Sequence, residues 1–245
     1  PYCFERFPLE TMLYDSMYGG EEQVARYGMM NKMLGRPPRP PKDKKGSPLP
    51  RKLCPACKKD LPFTAGLQES MVIGVIGAKF SGKSHYIASL IQRLSGRTGA
   101  DFQAGLLPVT DETAERYRRE FYDLLFDKKM EIPVTHGSPP PLIYDLTLHG
   151  KLWQEKTNRS VTLALYDTAG ENLEDPEAVK RMVRYLRVAS GIIFLIDPLQ
   201  VPEVRASLPF PGYLPDVSEE SAPYGIVGRV LTELENGGIL SRNAP

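Results

Sequence analysis

No stretch of this sequence is apolar for long enough to cross a bilayer. The longest strongly apolar run is "GIIFLID" at 191–197, far short of the roughly 20 residues that a spanning helix needs. No secretory signal is visible either, so a cytoplasmic location is expected. An excess of charge of one sign is also missing. Lysine and arginine number 31 against 30 acidic residues, for a net charge of +1. No overall field therefore directs the chain to nucleic acid or to an anionic membrane; nucleic acid stays open as a partner without support from charge. Internal repeats are absent. The chain starts at Pro1 without a methionine and ends in "SRNAP" without a closing element, so it reads as a piece of a longer protein.

What is present is globular. An apolar content of 41% and a charged content of 25% fit a packed core, and 245 residues suffice for one large domain or two modest ones. Proline is plentiful, with 23 residues against a usual frequency of about 5%. The prolines cluster in 36–62, 133–141 and 198–223, which marks loops and linkers. Two regions follow from this pattern. Residues 1–66 form a small N-terminal module with a short helix expected near 20–34 and a stiff, basic, proline-rich linker in "RPPRPPKDKKGSPLPRK". Residues 67–245 carry the periodicity of an α/β domain.

The three cysteines sit where they can act together. Cys54 and Cys57 form "CPAC", and Cys3 lies in "PYCF", which completes a second C-P-x-C turn if a cysteine precedes Pro1. Two such turns aim their thiolates at one tetrahedral Zn²⁺. Cys3, Cys54 and Cys57 are thus candidate zinc ligands of a zinc-ribbon-like module, with the fourth ligand missing or external, because His85, His136 and His149 lie elsewhere in the chain. Free thiols or a redox pair are the alternatives; the basic, proline-flanked context of "RKLCPACKKDLPF" does not resemble the strand–helix setting of a redox pair.

From residue 71 the reading is strand, turn, helix. "MVIGVIG" predicts a buried strand. Residues 82–94 predict a helix with Ile87, Leu90, Ile91 and Leu94 on one face. Between them stands "GAKFSGKS", which meets G-x-x-x-x-G-K-[ST] at Gly77, Gly82, Lys83 and Ser84. Glycines let successive backbone N–H groups turn inward on phosphate oxygens, and the helix N-terminus adds its free N–H groups and partial positive charge. The whole loop, Gly77, Ala78, Lys79, Phe80, Ser81, Gly82, Lys83 and Ser84, is a candidate phosphate cradle, with Lys83 on the terminal phosphates and Ser84 on Mg²⁺. "LALYDTAGE" ends another expected strand at Asp167, a carboxylate placed to hold that Mg²⁺. Gly170 follows three positions later, where its N–H can meet a γ-phosphate. Further helices are expected at 111–129, 176–189 and 223–236, and strands at "LIYDLTL", "SVTLALYD" and "GIIFLID".

"GAKFSGKS" taken with "DTAGE" resembles the TRAFAC class of P-loop GTPases. The order C-P-x-C, "LCPACKKDLP", loop, "YDTAGE", "ASGIIFLIDP" is similar to bacterial zinc-ribbon proteins of the double-GTPase type. The resemblance implies a Ras-like P-loop NTPase fold, a three-layer α/β sandwich incomplete at its C-terminus. It also implies a GTP- and Mg²⁺-dependent switch that hydrolyses slowly within a bacterial, defence-related multi-protein system. By the same pattern Gly77 to Ser84 bind phosphate and magnesium, and Asp167 and Gly170 form the second switch.

Two features depart from the family. The base-reading N/T-K-x-D element is nowhere in the chain, so guanine is implied only by resemblance and ATP stays open. Glu171 stands where Ras-like members often carry the glutamine that orients water, and an ionised carboxylate there repels γ-phosphate. Lys83 and Glu171 are the candidate catalytic groups, with Thr135 as first-switch threonine and Thr110 its rival. A P-loop ATPase driving assembly and a non-catalytic zinc-ribbon scaffold are the competing functions, and each implies protein partners in a larger assembly.

Overall fold

The computed structural model describes residues 3, 5–16, 22–24, 28, 33–34, 39–78, 81–133, 139–152, 155–167, 184–209, 223–236 and 238. The chain forms two sheets. The first, from the N-terminal region, has four short antiparallel strands: β1 (Leu13–Asp15), β2 (Gln23–Val24), β3 (Arg51–Leu53) and β4 (Asp60–Leu61), in the order β2-β1-β3-β4. Met12, Tyr14, Leu49, Cys54 and Leu61 are buried together beneath it.

Residues 22–24 are therefore not helical, and the proline-rich segment is not a free spacer. It folds back as a hairpin-like loop in which Lys42 bridges to Pro48 and Leu49 N–H donates to the Pro41 carbonyl at 2.9 Å. Asp43 shapes the tip: its Oδ1 accepts from the N–H groups of Lys45 (2.9 Å) and Ser47 (2.8 Å). Gly46 supplies the left-handed residue, at φ 84°. Pro41 and Leu49 are buried as a result.

The second sheet contains β5 (Glu69–Gly77), β6 (Ala104–Pro108), β7 (Leu142–Leu152), β8 (Glu155–Asp167) and β9 (Gly191–Leu195), in the order β6-β7-β8-β5-β9. It is mixed. β5 runs parallel to β8 and β9, while β6–β7 and β7–β8 are antiparallel. The expected neighbours "LIYDLTL" and "SVTLALYD" pair directly, with Leu142 opposite Leu165. β6 was not foreseen. Its small residues, Ala104 and Gly105, give no strand signal.

Alternation sorts the strand residues onto two faces. Val75, Leu142, Tyr144, Leu163 and Leu165 pack under Ile87, Ala88, Ile91 and Phe121 on one side. Ile76, Ala164 and Tyr166 meet Tyr185, Leu186, Val230 and Leu234 on the other. Helices thus cover both faces of this mixed sheet. They include α1 (Lys83–Ser95), α2 (Arg97–Asp101) and α3 (Asp111–Tyr117). The expected helix at 111–129 begins under a Thr110 cap whose hydroxyl accepts from Thr113 N–H, and it changes at Arg118–Asp127 to a π-helix. Residues 184–188 and Pro223–Asn236 are helical, as expected; the remainder of 176–189 lies outside the described residues apart from Ala189. Among the described residues no helix is long and apolar enough to cross a membrane.

Candidate functional site

The carboxyl ends of β5 and β8 lie side by side, because Val75 is paired with Asp167 in parallel register. β5 ends at Gly77, and the chain turns through Gly82, at φ 82° and ψ 18°, into α1. Only glycine takes that left-handed turn cheaply. Gly77 is glycine for a different reason. A Cβ there would lie 2.5 Å from both the Leu195 carbonyl oxygen and Ser81 Oγ. Helix α1, 13 residues long, begins after Gly82, which offers no side-chain cap.

The loop's polar groups converge. Lys83 is buried, and its Nζ donates to the carbonyls of Gly77 (3.1 Å) and Ala78 (2.6 Å). Ser84 Oγ donates to Asp167 Oδ2 at 2.7 Å, and Asp167 is itself buried. Gly77, Ala78, Ser81, Gly82, Lys83, Ser84 and Asp167 are therefore assembled at one corner. The Ser84 hydroxyl and the Asp167 carboxylate thus present their oxygens together at the strand ends. Lys79, Phe80, Thr135, Gly170 and Glu171 lie outside the described residues. Thr110, the rival of Thr135, is occupied as the α3 cap. His85 serves the framework: its Nε2 accepts from Ile132 N–H at 3.4 Å.

The cysteines also meet. The ligand atoms of Cys3, Cys54 and Cys57 all lie within 4.8 Å of one another, and the Sγ atoms of Cys3 and Cys54 are 3.5 Å apart. Tetrahedral Zn²⁺ with sulfur at about 2.3 Å sets its ligands roughly 3.8 Å apart, so three thiolates arranged this way suit the ion. The knuckle geometry follows from the backbone. Lys58, at φ 60°, turns the chain so that its N–H reaches the Cys54 carbonyl at 2.9 Å, while Cys54 N–H reaches Lys59 O at 3.0 Å.

Burial raises the Cys54 thiol pKa, but the N–H groups of Cys57 and Ala56 and the other two thiols outweigh it, and the net shift is downward. Burial and the thiols of Cys54 and Cys57, opposed by Glu5 N–H, push Cys3 up to about 11. Metal binding there requires the thiols to be deprotonated and so releases protons.

Fold and site together define an α/β protein with a mixed sheet, a loop-and-carboxylate corner at its strand ends, and a three-cysteine group close enough to hold a metal ion. No family model matches the sequence. A Mycolicibacterium smegmatis protein named "Putative ESX-1 scaffolding and assembly protein SaeC" is 30% identical to it over 197 residues. That match takes in 76% of this chain and 48% of the relative, so the chain spans about half the length of the curated protein it matches.

This finding overturns the resemblance to TRAFAC-class GTPases and to zinc-ribbon double-GTPase proteins. The similarity found leads to a protein named for scaffolding and assembly, and no GTPase family is matched. The physical reason is that eight loop residues and a strand-end Asp-x-x-Gly fix only a local turn beside a strand end. They do not specify a base or a reaction, and the base-reading element is absent from the chain.

Proposed function

We propose that this chain is part of an assembly scaffold, that its α/β domain grips the phosphates of a nucleoside triphosphate, and that its cysteine cluster holds structural zinc. Protein partners of a larger complex are what the scaffold brings together, a role supported by the name of the relative. The observation that carries the phosphate reading is the pairing of Ser84 Oγ with Asp167 Oδ2 at 2.7 Å beside a buried Lys83. The start of α1 lies at the same corner.

In this reading the ammonium of Lys83, held on the Gly77 and Ala78 carbonyls, is preset where terminal phosphate oxygens arrive. Backbone N–H groups of the loop and of the first turn of α1 complete the cradle. Mg²⁺ would be held by Ser84 and Asp167, and it would neutralise phosphate charge there. Such a site lets a scaffold bind its partners in one nucleotide state and release them in another.

The test is thermal. A ligand at 100 times its Kd stabilises the folded chain by about 2.7 kcal/mol, which raises Tm by several degrees at this size. Magnesium with ATP or with GTP is expected to raise Tm, magnesium with the matching nucleoside monophosphate much less, and Lys83→Ala is expected to lose the gain. Equal Tm in all mixtures would refute the phosphate reading.

A further inference from the structure

One set of contacts joins the cysteine cluster to the phosphate corner and belongs to neither. Lys52 lies on β3, two residues before Cys54. Its Nζ donates to the carbonyls of Phe63 (2.6 Å) and Ala65 (2.8 Å), gripping a turn closed by Ala65 N–H on Pro62 O and Leu67 N–H on Thr64 O, both at 2.9 Å. Phe63 and Leu67 point outward from this turn and Thr64 points inward. Thr64 Oγ1 sits 2.8 Å from Thr162 Oγ1 on β8, and both threonines are buried. Gln68 Nε2 adds bonds to Asp145 Oδ1 on β7 (2.8 Å) and to Thr162 Oγ1 (3.1 Å). From Thr162, β8 runs five residues, roughly 16 Å at 3.3 Å per residue, to Asp167 and its bond to Ser84.

We propose that residues 62–68 form a strut through which metal bound at Cys3, Cys54 and Cys57 fixes β8 and thereby sets the affinity of the Ser84–Asp167 corner for a phosphate ligand. Lys52, Thr64 and Thr162 are its positioning residues. A core as small as that beneath the first sheet depends on its metal to hold shape. Releasing the metal frees the end of β3 at Cys54, Lys52 then loses its fixed grip on the turn, and the Thr64–Thr162 contact opens to water. β8 is a central strand, so fraying at Thr162 reaches its far end as a loss of register against β5. The affinity half of the inference rests on the phosphate reading; the β8 half does not.

Amide hydrogen exchange on the whole chain tests it, with zinc loaded and with zinc removed by a chelator. Chelation is expected to speed exchange in 51–68 and also along 161–167. Thr64→Val with zinc bound should speed 161–167 while 51–61 stays protected, and Thr64→Ser should restore protection. Affinity for a magnesium–nucleoside triphosphate should fall about three- to tenfold on chelation and in Thr64→Val, the range expected of coupling through a packed network. Faster exchange that stops at residue 68, or failure of the chain to take up stoichiometric zinc, overturns the strut. A chain that binds no triphosphate in either metal state refutes the phosphate reading, and the exchange of β8 still decides the strut.

Discussion

Gly74 is the position where adding one methyl group should be felt most sharply. It lies in β5, three residues before Gly77, and Tyr185 lies directly over it. A Cβ at this position would come within 1.8 Å of Tyr185 Oη and 2.4 Å of two ring carbons. Tyr185 has little room to move: its side chain is among the most completely buried, and it stacks on Tyr166 at 5.3 Å and 27°. Overpacking of this kind costs about 1–3 kcal/mol, and a gap this short belongs at the upper end. Alanine returns about 0.5–1 kcal/mol through lower backbone entropy in the unfolded chain, which leaves a net loss of roughly 2 kcal/mol. For 150–250 residues each kcal/mol moves Tm by about 2–4 °C, so Gly74→Ala should melt about 4–8 °C lower by calorimetry or circular dichroism. In a Tyr185→Leu background the same substitution should cost close to nothing, because the partner in the clash is gone. An unchanged or higher Tm for Gly74→Ala, or an equal loss in both backgrounds, would refute this account of how the 184–188 helix is seated.

Ser84→Ala and Asp167→Asn should each weaken magnesium-dependent triphosphate binding at least tenfold while leaving magnesium-free binding less affected; identical magnesium dependence in the wild type and both variants would count against their pairing as cation ligands. Cobalt added to the metal-free chain should give thiolate-to-metal charge-transfer absorbance that Cys54→Ser loses, and its absence in the wild type would exclude the cysteine site. Burial holds the phenols of Tyr144 and Tyr185 above their ordinary range and pushes Tyr117 up to about 12. Folding therefore retains protons that the unfolded chain releases near 10. The stability from these groups is full below that pH and is lost as pH rises towards and through 12. Spectroscopic titration of tyrosinate should show late-ionising phenols that coincide with alkaline unfolding, and complete ionisation near pH 10 with the fold intact would contradict the packing described.

The α/β half was legible because its strands are β-branched runs and its loop obeys fixed stereochemistry. "MVIGVIG", the turn into α1 and the strand ending at Asp167 all stand where the pattern put them, and Ser84 meets Asp167 across 83 positions. In the N-terminal region the grouping of Cys3, Cys54 and Cys57 was legible, but the rest was not, because its order comes from side chain–backbone bonds, as at Asp43, and from buried residues such as Pro41. Hydropathy does not register either. The π-helix at 118–127 was read as ordinary helix because one extra residue per turn hardly alters a short apolar pattern. The strut was invisible for a related reason: Thr64 and Thr162 are ordinary polar residues in sequence, and only the fold brings them together. The GTPase assignment failed at another level, since a short loop motif recurs in proteins that do very different work.

The central claim is that the corner formed by residues 77–84 and Asp167 binds a magnesium–polyphosphate. Isothermal titration of magnesium–ATP and magnesium–GTP into the zinc-loaded chain tests it most directly. The account predicts one saturable site per chain for at least one of the two nucleotides, and loss of that site in Lys83→Ala. No heat of binding for either nucleotide, or an unchanged isotherm in Lys83→Ala, would contradict it.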